Sequence, residues 1–202
     1  MAQRSADLAP IGLPGMKRPK VLRRRMIYRG RVIQLIREVV EMRGLRMVRE
    51  TVQHPGAVVI VPVLPGNRIV FVRQYRRSVG RELLELPAGT LDPRERKMAC
   101  ARRELAEETG WQAARLRRLG QFFAAPGFCS EQMTVFLATG LRRGVQRLEP
   151  DEILRPVILP LSTAVANIRA GTIRDAKSII GILFAAHHLK RRRNSATLPG
   201  KR

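Results

Sequence analysis

The stretch GTLDPRERKMACARRELAEETGW, residues 89–111, determines how the rest of the chain is interpreted. Glu104 and Glu108 are four residues apart, so on a helix they lie on one face, one turn from each other. Glu107 lies beside them, and Arg103 can pair with it across one turn. Neighbouring like charges repel by roughly 0.3 kcal/mol per pair. A divalent cation such as Mg²⁺, which prefers carboxylate oxygens, would remove that repulsion. For the cluster taken alone, a solvated charged face is the alternative.

The full spacing of this stretch resembles the signature of the Nudix hydrolase family. Gly89 is followed after five residues by Glu95, and after seven more by Arg103-Glu104-Leu105-Ala106-Glu107-Glu108-Thr109-Gly110-Trp111. The resemblance implies an α/β/α sandwich in which a loop, a helix and a loop bind Mg²⁺ or Mn²⁺. It implies that Glu104 and Glu108 are the principal metal ligands. Glu107 corresponds to a supporting ligand, and Glu95 to a residue that stabilises the loop with Arg103.

Further segments resemble the ADP-ribose pyrophosphatase branch of that family over residues 26–190. The matching segments are Arg73-Gln74-Tyr75-Arg76, Leu84-Glu85-Leu86-Pro87-Ala88-Gly89, Pro126 at 16 residues after Gly110, and Asp175-Ala176-Lys177. This branch cleaves ADP-ribose to AMP and ribose 5-phosphate. The resemblance adds the carbonyl of Ala88 as a metal ligand. It also implies a homodimer whose N-terminal strands exchange contacts between subunits.

The candidate substrate-binding residues lie outside the helix. Arg73 and Arg76 carry planar guanidinium groups that can clamp a phosphate or ribose, although an exposed strand end would also explain them. Glu85, Pro126 and Glu131 complete this set. Pro126 belongs to a loop that the family uses near the terminal ribose, while Glu131 either contacts substrate or begins the next strand.

A general base is expected in a late acidic loop, to deprotonate the attacking water. Relatives carry several consecutive acids followed by an apolar residue, so Glu152, directly before Ile153, is the first candidate, and Glu149 is the second. Pro150 interrupts the run and Arg155-Pro156 replaces the usual acidic-apolar pair, so the loop departs from the family pattern. An exposed acidic turn is the alternative. Glu107 and Arg103 are counted with the catalytic residues.

Apolar periodicity predicts an α+β fold with a mixed sheet, helices on its faces and an N-terminal β-hairpin subdomain. Residues 1–25 are expected to form a basic disordered arm, 26–54 the β subdomain, 55–190 the hydrolase domain and 191–202 a basic disordered tail. Strands are predicted at Arg31–Glu41, Leu45–Gln53, Ala57–Leu64, Arg68–Tyr75, Arg81–Leu86, Gly120–Ala125, Met133–Thr139 and Ile153–Leu161.

Three helices are predicted. The first runs over Asp92–Thr109, with Asp92 as its N-cap, Gly110 as its C-cap, and an inward stripe of Met98, Ala101, Leu105 and Thr109. The other two run over Ser162–Ala170 and Asp175–Leu189, each opened by a capping side chain.

The composition is strongly basic, with a net charge of +23 over 202 residues. Residues 1–25 and 186–202 each carry +6, which indicates a surface that attracts polyanions or simply an arginine-rich one. The sequence has two cysteines, which are too few for a disulfide framework, and it shows no apparent signal peptide or membrane span. These features favour a location in the cytoplasm and argue against a membrane partner. Its three histidines are badly spaced for a metal site and are interpreted as incidental.

The expected substrate is ADP-ribose or a related nucleoside diphosphate sugar. An RNA 5′-end pyrophosphohydrolase is the second hypothesis, because it would give the basic ends a purpose. Nucleic acid is therefore a possible but less favoured partner. The third hypothesis is a sensor that binds ADP-ribose without hydrolysing it. Such proteins tend to lose glutamates of the signature, and this chain keeps them.

Overall fold

The computed structural model of the protein describes residues 18–148 and 153–196, the last four by their backbone alone. Glu149 and Glu152, the two candidate bases, lie outside the described residues. The elements follow in the order β1 (Lys20–Arg29), β2 (Gln34–Met42), β3 (Leu45–Gln53), β4 (Ala57–Leu64), β5 (Arg68–Arg76), a 3₁₀ turn (Arg77–Val79), β6 (Arg81–Glu85), β7 (Ala88–Thr90), α1 (Lys97–Thr109), β8 (Trp111–Phe123), β9 (Gln132–Arg143), β10 (Leu154–Pro160), α2 (Leu161–Arg169) and α3 (Ala176–Ala196).

The N-terminal sheet has three antiparallel strands in the order β1-β2-β3. The predicted hairpin is confirmed as β2 and β3, but β1 is an addition, and its first residues, Lys20 to Arg25, were expected to belong to a disordered arm. The side chains of β1 do not alternate regularly between the two faces of the sheet, because irregularities interrupt the register with β2 after Val21 and after Met26. All of its residues are exposed, so no buried apolar face marks this strand in the sequence.

The central sheet has seven strands, of which five run in the order β10-β5-β4-β9-β8. β4 and β9 are parallel, and the other pairs are antiparallel. The short strands β6 and β7 pair with β5 and β4. The predicted mixed sheet is therefore confirmed, and β7 brings Ala88 and Gly89 against the middle of β4.

Helices cover both faces of the central sheet. Val59 and Val61 of β4 pack in a cluster with Ile182 of α3, whereas Val58 and Ile60 pack with Leu105 and other residues of α1. Because both faces are buried, β4 is a continuous apolar run rather than an alternating one. The result is the predicted α/β/α sandwich, with α1 alone on one face and α2 and α3 on the other.

The first helix starts later than predicted. α1 begins at Lys97, and its N-cap residue is Arg96, so Asp92 is not the cap. Residues 92–95 form a turn instead. Arg94 has a φ of 67°, in the left-handed region, and a right-handed helix cannot continue through that conformation. The predicted inward position of Met98 is also wrong, since that side chain is 47% exposed and Cys100 is buried in its place.

The other boundaries differ at their polar ends. β8 starts at Trp111 rather than Gly120, because it pairs with β9 over its whole length although its first half is rich in arginine. α2 begins at Leu161 after Pro160, so Ser162 is not its cap. α3 continues to Ala196, into residues predicted to be a disordered tail. None of the helices in the described part of the chain is long and apolar enough to cross a membrane.

Candidate active site

A polar cleft of about 1030 Å³ lies between α1, β7 and the link from the N-terminal sheet to β4. The predicted site residues that line it are Arg76, Ala88, Arg103, Glu104, Glu107 and Glu108. Four of these six belong to α1. They lie on one side of the helix because residues three or four positions apart share a helical face.

Glu104 and Glu108 are the two buried carboxylates of the cleft, with 8% and 3% of their surface exposed. The backbone N–H of Ala88 donates to Glu108 at 3.1 Å, which joins the helix to β7. A Cβ atom on Gly89 would lie 1.8 Å from the carboxylate of Glu104. Only glycine therefore lets the carboxylate of Glu104 lie against this backbone.

Arg103 holds the other acidic side chains of the signature. Its guanidinium donates two hydrogen bonds to Glu95, both at 3.0 Å, and one to Glu107 at 3.0 Å. It also forms an ion pair with Glu104 at 2.8 Å. The expected contacts of Arg103 with Glu95 and Glu107 are thus present. Hydrogen bonding to Glu95 raises the pKa of Arg103 further, so this cation stays charged.

Glu95 anchors the turn before α1. Its carboxylate accepts from Arg103 and from the backbone N–H of Asp92 at 3.2 Å. These hydrogen bonds, that from Arg103 above all, lower the pKa of Glu95 from 4.5 to about 2. Because Glu95 is held by a residue two turns into the helix, the preceding chain folds back over α1 instead of continuing it.

Glu95→Gln is expected to destabilise the protein by roughly 1–3 kcal/mol at pH 7, since it removes a charged hydrogen-bond partner. A lowered pKa in the folded state stabilises the protein fully above pH 4.5, and this contribution is lost as the pH falls towards 2. Urea unfolding of both proteins at several pH values tests this. The difference in unfolding free energy should shrink below pH 4.5, and a constant difference down to pH 3 would contradict the charged pair.

The chain that follows β9 closes the C-terminal end of α1. Gly144 donates to the carbonyl of Gly110 at 2.7 Å, and Arg147 donates to the carbonyl of Glu107 at 3.1 Å. The side chain of Gln146 donates to the carbonyl of Glu108 at 2.6 Å. This segment satisfies carbonyls that a helix end leaves unpaired, and it fixes residues 144–147 beside α1. Glu149 follows Arg147 by two residues in the sequence.

Four of the substrate-binding candidates occupy four different places. Arg76 lines the cleft and is held by Glu85, whereas Arg73 is 48% exposed and pairs with Glu82 at 3.7 Å. Glu85 is buried and is not a lining residue of the cleft. Pro126 borders a separate depression of about 270 Å³ beside exposed aromatic side chains.

Glu131 does not line the cleft itself but contacts His54, a lining residue that was interpreted from the sequence as incidental. His54 lines the cleft, its Nδ1 lies 3.7 Å from Glu131, and it accepts a hydrogen bond from the backbone N–H of Gly56 at 3.0 Å. Its own backbone N–H donates to Ser130, which also lines the cleft. In the sequence, His54 is marked only by its place between β3 and the buried strand β4, and the spacing of the three histidines does not indicate that it lies in the cleft.

The described residues contain no group of three or more His, Cys, Asp or Glu side chains gathered as for a metal ion. Arg103 and the N–H of Ala88 bind oxygens of Glu104 and Glu108 instead. The chemistry of the expected donors nevertheless fits Mg²⁺ or Mn²⁺, because two carboxylates and a backbone carbonyl of one cleft are hard oxygen ligands. The glycine at position 89, which leaves room for Glu104, supports the same set.

Comparison with known proteins decides the family. A NUDIX domain model matches residues 53–179, which include the whole cleft-forming helix. The chain belongs to the Nudix family. The Nudix signature identified from spacing alone is therefore confirmed, together with the fold that it implied.

Several Nudix relatives are similar over most of their length. The chain is 35% identical to an ADP-ribose pyrophosphatase of Bacillus subtilis (strain 168), over 82% of this chain and 91% of that protein. It is 40% identical to an ADP-ribose pyrophosphatase of Mycobacterium tuberculosis, over 78% of each chain. It is 34% identical to a methanol dehydrogenase activator of Bacillus methanolicus, over 82% of this chain and 91% of that protein. These similarities make this Nudix protein a hydrolase.

A solved structure gives the same fold. The crystal structure of an ADP compounds hydrolase superposes with a TM-score of 0.79, covering 88% of this chain and 97% of that one, at 24% identity. At this identity the likeness concerns the fold alone.

Proposed function

We propose that this Nudix hydrolase cleaves the diphosphate of ADP-ribose, or of a closely related nucleoside diphosphate sugar, giving AMP and ribose 5-phosphate from ADP-ribose. The observation that carries the proposal is the cleft in which Glu104 and Glu108 lie together with Ala88, Gly89 and Arg76. In the reaction, water adds to one phosphorus and the bridging P–O bond breaks, so that two phosphate monoesters form. The named pyrophosphatase relatives support the choice of substrate class.

Glu104, Glu108 and the carbonyl of Ala88 would hold the divalent metal ion, with Glu107 as a further ligand. A bound ion would neutralise phosphate charge and lower the pKa of a water molecule. Arg103 keeps Glu104 and Glu107 in place, because it contacts both carboxylates at 3.0 Å or less. Mg²⁺ or Mn²⁺ is proposed because the donors are oxygen atoms.

Arg76 is proposed to bind the diphosphate through the part of its guanidinium that faces the cleft, where 37% of its side chain is exposed. Glu152, or else Glu149, is proposed as the base that takes the proton of the attacking water. The support for an acid from this segment is that residues 144–147 attach directly to the end of α1, next to Glu107 and Glu108.

A substrate panel tests the proposed reaction. The purified protein with Mg²⁺ is assayed on ADP-ribose, GDP-sugars, UDP-sugars, free ADP and an RNA with a 5′-triphosphate, and products are identified by mass. ADP-ribose is expected to have a kcat/KM at least about 100-fold above that of the RNA, since specific contacts discriminate by such factors. Preferred turnover of the RNA would overturn the proposal, and so would binding of ADP-ribose without hydrolysis.

The N-terminal sheet is proposed to form a homodimer interface. It exposes several large apolar side chains, namely Val21, Leu22, Met26, Ile27, Tyr28, Leu45 and Val48, each at least 39% exposed. The concentration of these exposed apolar side chains in one small sheet supports an interaction surface there. Light scattering at micromolar concentration is expected to give twice the chain mass of 22.8 kDa, and Ile27→Asp should shift it towards the monomer. A monomeric unsubstituted protein would contradict the proposal.

A further inference from the structure

The first turn of α3 carries a buried set of polar residues that the proposed reaction does not use. Lys177 is 8% exposed and Ser178 is fully buried, although both lie at the start of a helix. Asp175 precedes the helix and accepts from the backbone N–H of Ser178 at 3.0 Å, as an N-cap does. The sequence pattern predicted this cap but gave no reason for burying a lysine behind it.

Lys177 leads from α3 to the substrate-binding candidate Arg76. Its ammonium group contacts the buried carboxylate of Glu85, and it lies 2.9 Å from Asp175. Glu85 in turn accepts two hydrogen bonds from Arg76, at 2.9 Å from Nε and 2.7 Å from Nη2. The side chains of Asp175, Lys177, Glu85 and Arg76 thus form one chain of contacts in which negative and positive charges alternate, so the net charge of the four is zero.

The same turn also fixes the strand end that leads to Ala88. The hydroxyl of Ser178 accepts from the backbone N–H of Leu86 at 2.7 Å and donates to Asp175 at 2.5 Å. Leu86 follows Glu85 directly. Two contacts therefore join α3 to this strand end: Lys177 contacts the side chain of Glu85, and Ser178 contacts the backbone of Leu86. Separate substitutions can remove each contact.

Both cationic partners of Glu85 favour its charged form. Burial acts to raise the pKa of Glu85, but the hydrogen bond and charge of Arg76 and the charge of Lys177 lower it below its ordinary value. Removing one partner of a buried charge is costly, because the remaining charges lose their compensation. Without Lys177, Glu85 is thus less able to hold the guanidinium of Arg76 in one orientation.

We infer that Lys177 is a positioning residue for substrate binding: through Glu85 it orients Arg76, whose guanidinium meets the diphosphate in the cleft. The inference rests on the proposed function for the nature of the substrate. It extends the site to a helix on the opposite face of the sheet from α1. Two of the five donors of Arg76 are taken by Glu85, and this bidentate contact aims the rest of the planar group.

A double-substitution cycle tests the inference on the full chain. Lys177→Met, Arg76→Gln and the double variant are compared for ADP-ribose hydrolysis with Mg²⁺. Lys177→Met is expected to raise KM about tenfold with little change in kcat, because it weakens binding rather than chemistry. In the Arg76→Gln background the same substitution should change KM less than about twofold, since the two residues act as one unit.

Three further variants separate positioning from folding. Lys177→Arg keeps the charge and should restore KM to within about threefold. Ser178→Ala removes the contact to Leu86 but leaves the ion pairs, so it should alter thermal stability more than KM. Arg174→Met removes an exposed cation beside α3 whose guanidinium bonds only to the carbonyl of Gly171 among the contacts described, and it should leave KM unchanged.

An NMR measurement needs no substrate and keeps failure of this inference distinct from failure of the proposed function. The Nε–H of Arg76, assigned by its loss in Arg76→Gln, should be protected from exchange in the unsubstituted protein and in Arg174→Met, and should lose that protection in Lys177→Met. Retained protection would overturn the inference, as would additive KM effects in the cycle. If ADP-ribose is not hydrolysed at all, the proposed function fails, and the NMR result still decides the role of Lys177.

Discussion

Glu108→Gln is expected to lower kcat by roughly a thousandfold or more, because Glu108 is a proposed metal ligand and a charged ligand supplies several kcal/mol to the transition state. Glu108 lies at the end of α1 with 3% of its surface exposed, and one of its oxygens accepts from the N–H of Ala88. Glutamine has the same shape and keeps an oxygen that can accept that bond. The substitution therefore removes the charge and leaves the hydrogen bond that links α1 to Ala88 of β7.

The measurement is steady-state hydrolysis of the best panel substrate over a range of Mg²⁺ concentrations, with circular dichroism to show that the fold is kept. Glu41→Gln is the matched control, since Glu41 lies near the end of β2 and its side chain makes only a 4.0 Å ion pair with Arg46 among the contacts described. It should keep full activity. Turnover of Glu108→Gln within about tenfold of the unsubstituted enzyme would refute Glu108 as a metal ligand.

The sequence was most informative where the spacing of residues along one element sets their geometry. Glu104 and Glu108 are one helical turn apart, so their common face could be predicted without knowing what covers it. The contacts of Arg103 with Glu95 and Glu107 span eight and four residues, and both are present. The buried strand β4 was equally clear, because a continuous apolar run between turn residues has few other interpretations.

Prediction failed where long-range contacts determine the conformation. The turn before α1 has good helix-start residues, but Glu95 is drawn to Arg103 and the helix begins five residues later than expected. β1 was missed because its exposed, basic sequence gives no periodic signal, and the strand is defined by its pairing with β2.

The candidate site was incomplete for the same reason. His54 reaches the cleft through the link between two sheets, and Lys177 reaches Glu85 across 92 residues of sequence. Neither position is marked by a spacing rule, since both depend on how distant elements pack. Pro126 and Arg73 were predicted as site residues from their matching segments, but neither lines the cleft. The structure places Pro126 at a second depression and Arg73 in an exposed ion pair with Glu82.

Gly89→Ala is expected to reduce kcat/KM by at least about 100-fold, because a displacement near 1 Å in a catalytic group has effects of this size. The added Cβ would lie 1.8 Å from the carboxylate of Glu104, so that side chain must leave its place. Gly89 has no positive φ, so alanine strains only this contact and not the backbone. The loss should therefore appear mainly in catalysis and in affinity for Mg²⁺ or Mn²⁺.

Gly181→Ala provides the contrast, because its Cβ would lie 2.5 Å from Leu86 and 3.4 Å from Val61, within the apolar core. Overpacking there should lower the free energy of unfolding by about 1–3 kcal/mol. Both variants are measured for urea unfolding, for Mn²⁺ binding by titration calorimetry and for turnover. If Gly89→Ala lost stability but bound Mn²⁺ as tightly as the unsubstituted protein, the place of Glu104 against Gly89 would matter to folding alone. Weakened Mn²⁺ binding at nearly unchanged stability is the expected result, since the colliding group is a carboxylate of the cleft rather than a core side chain.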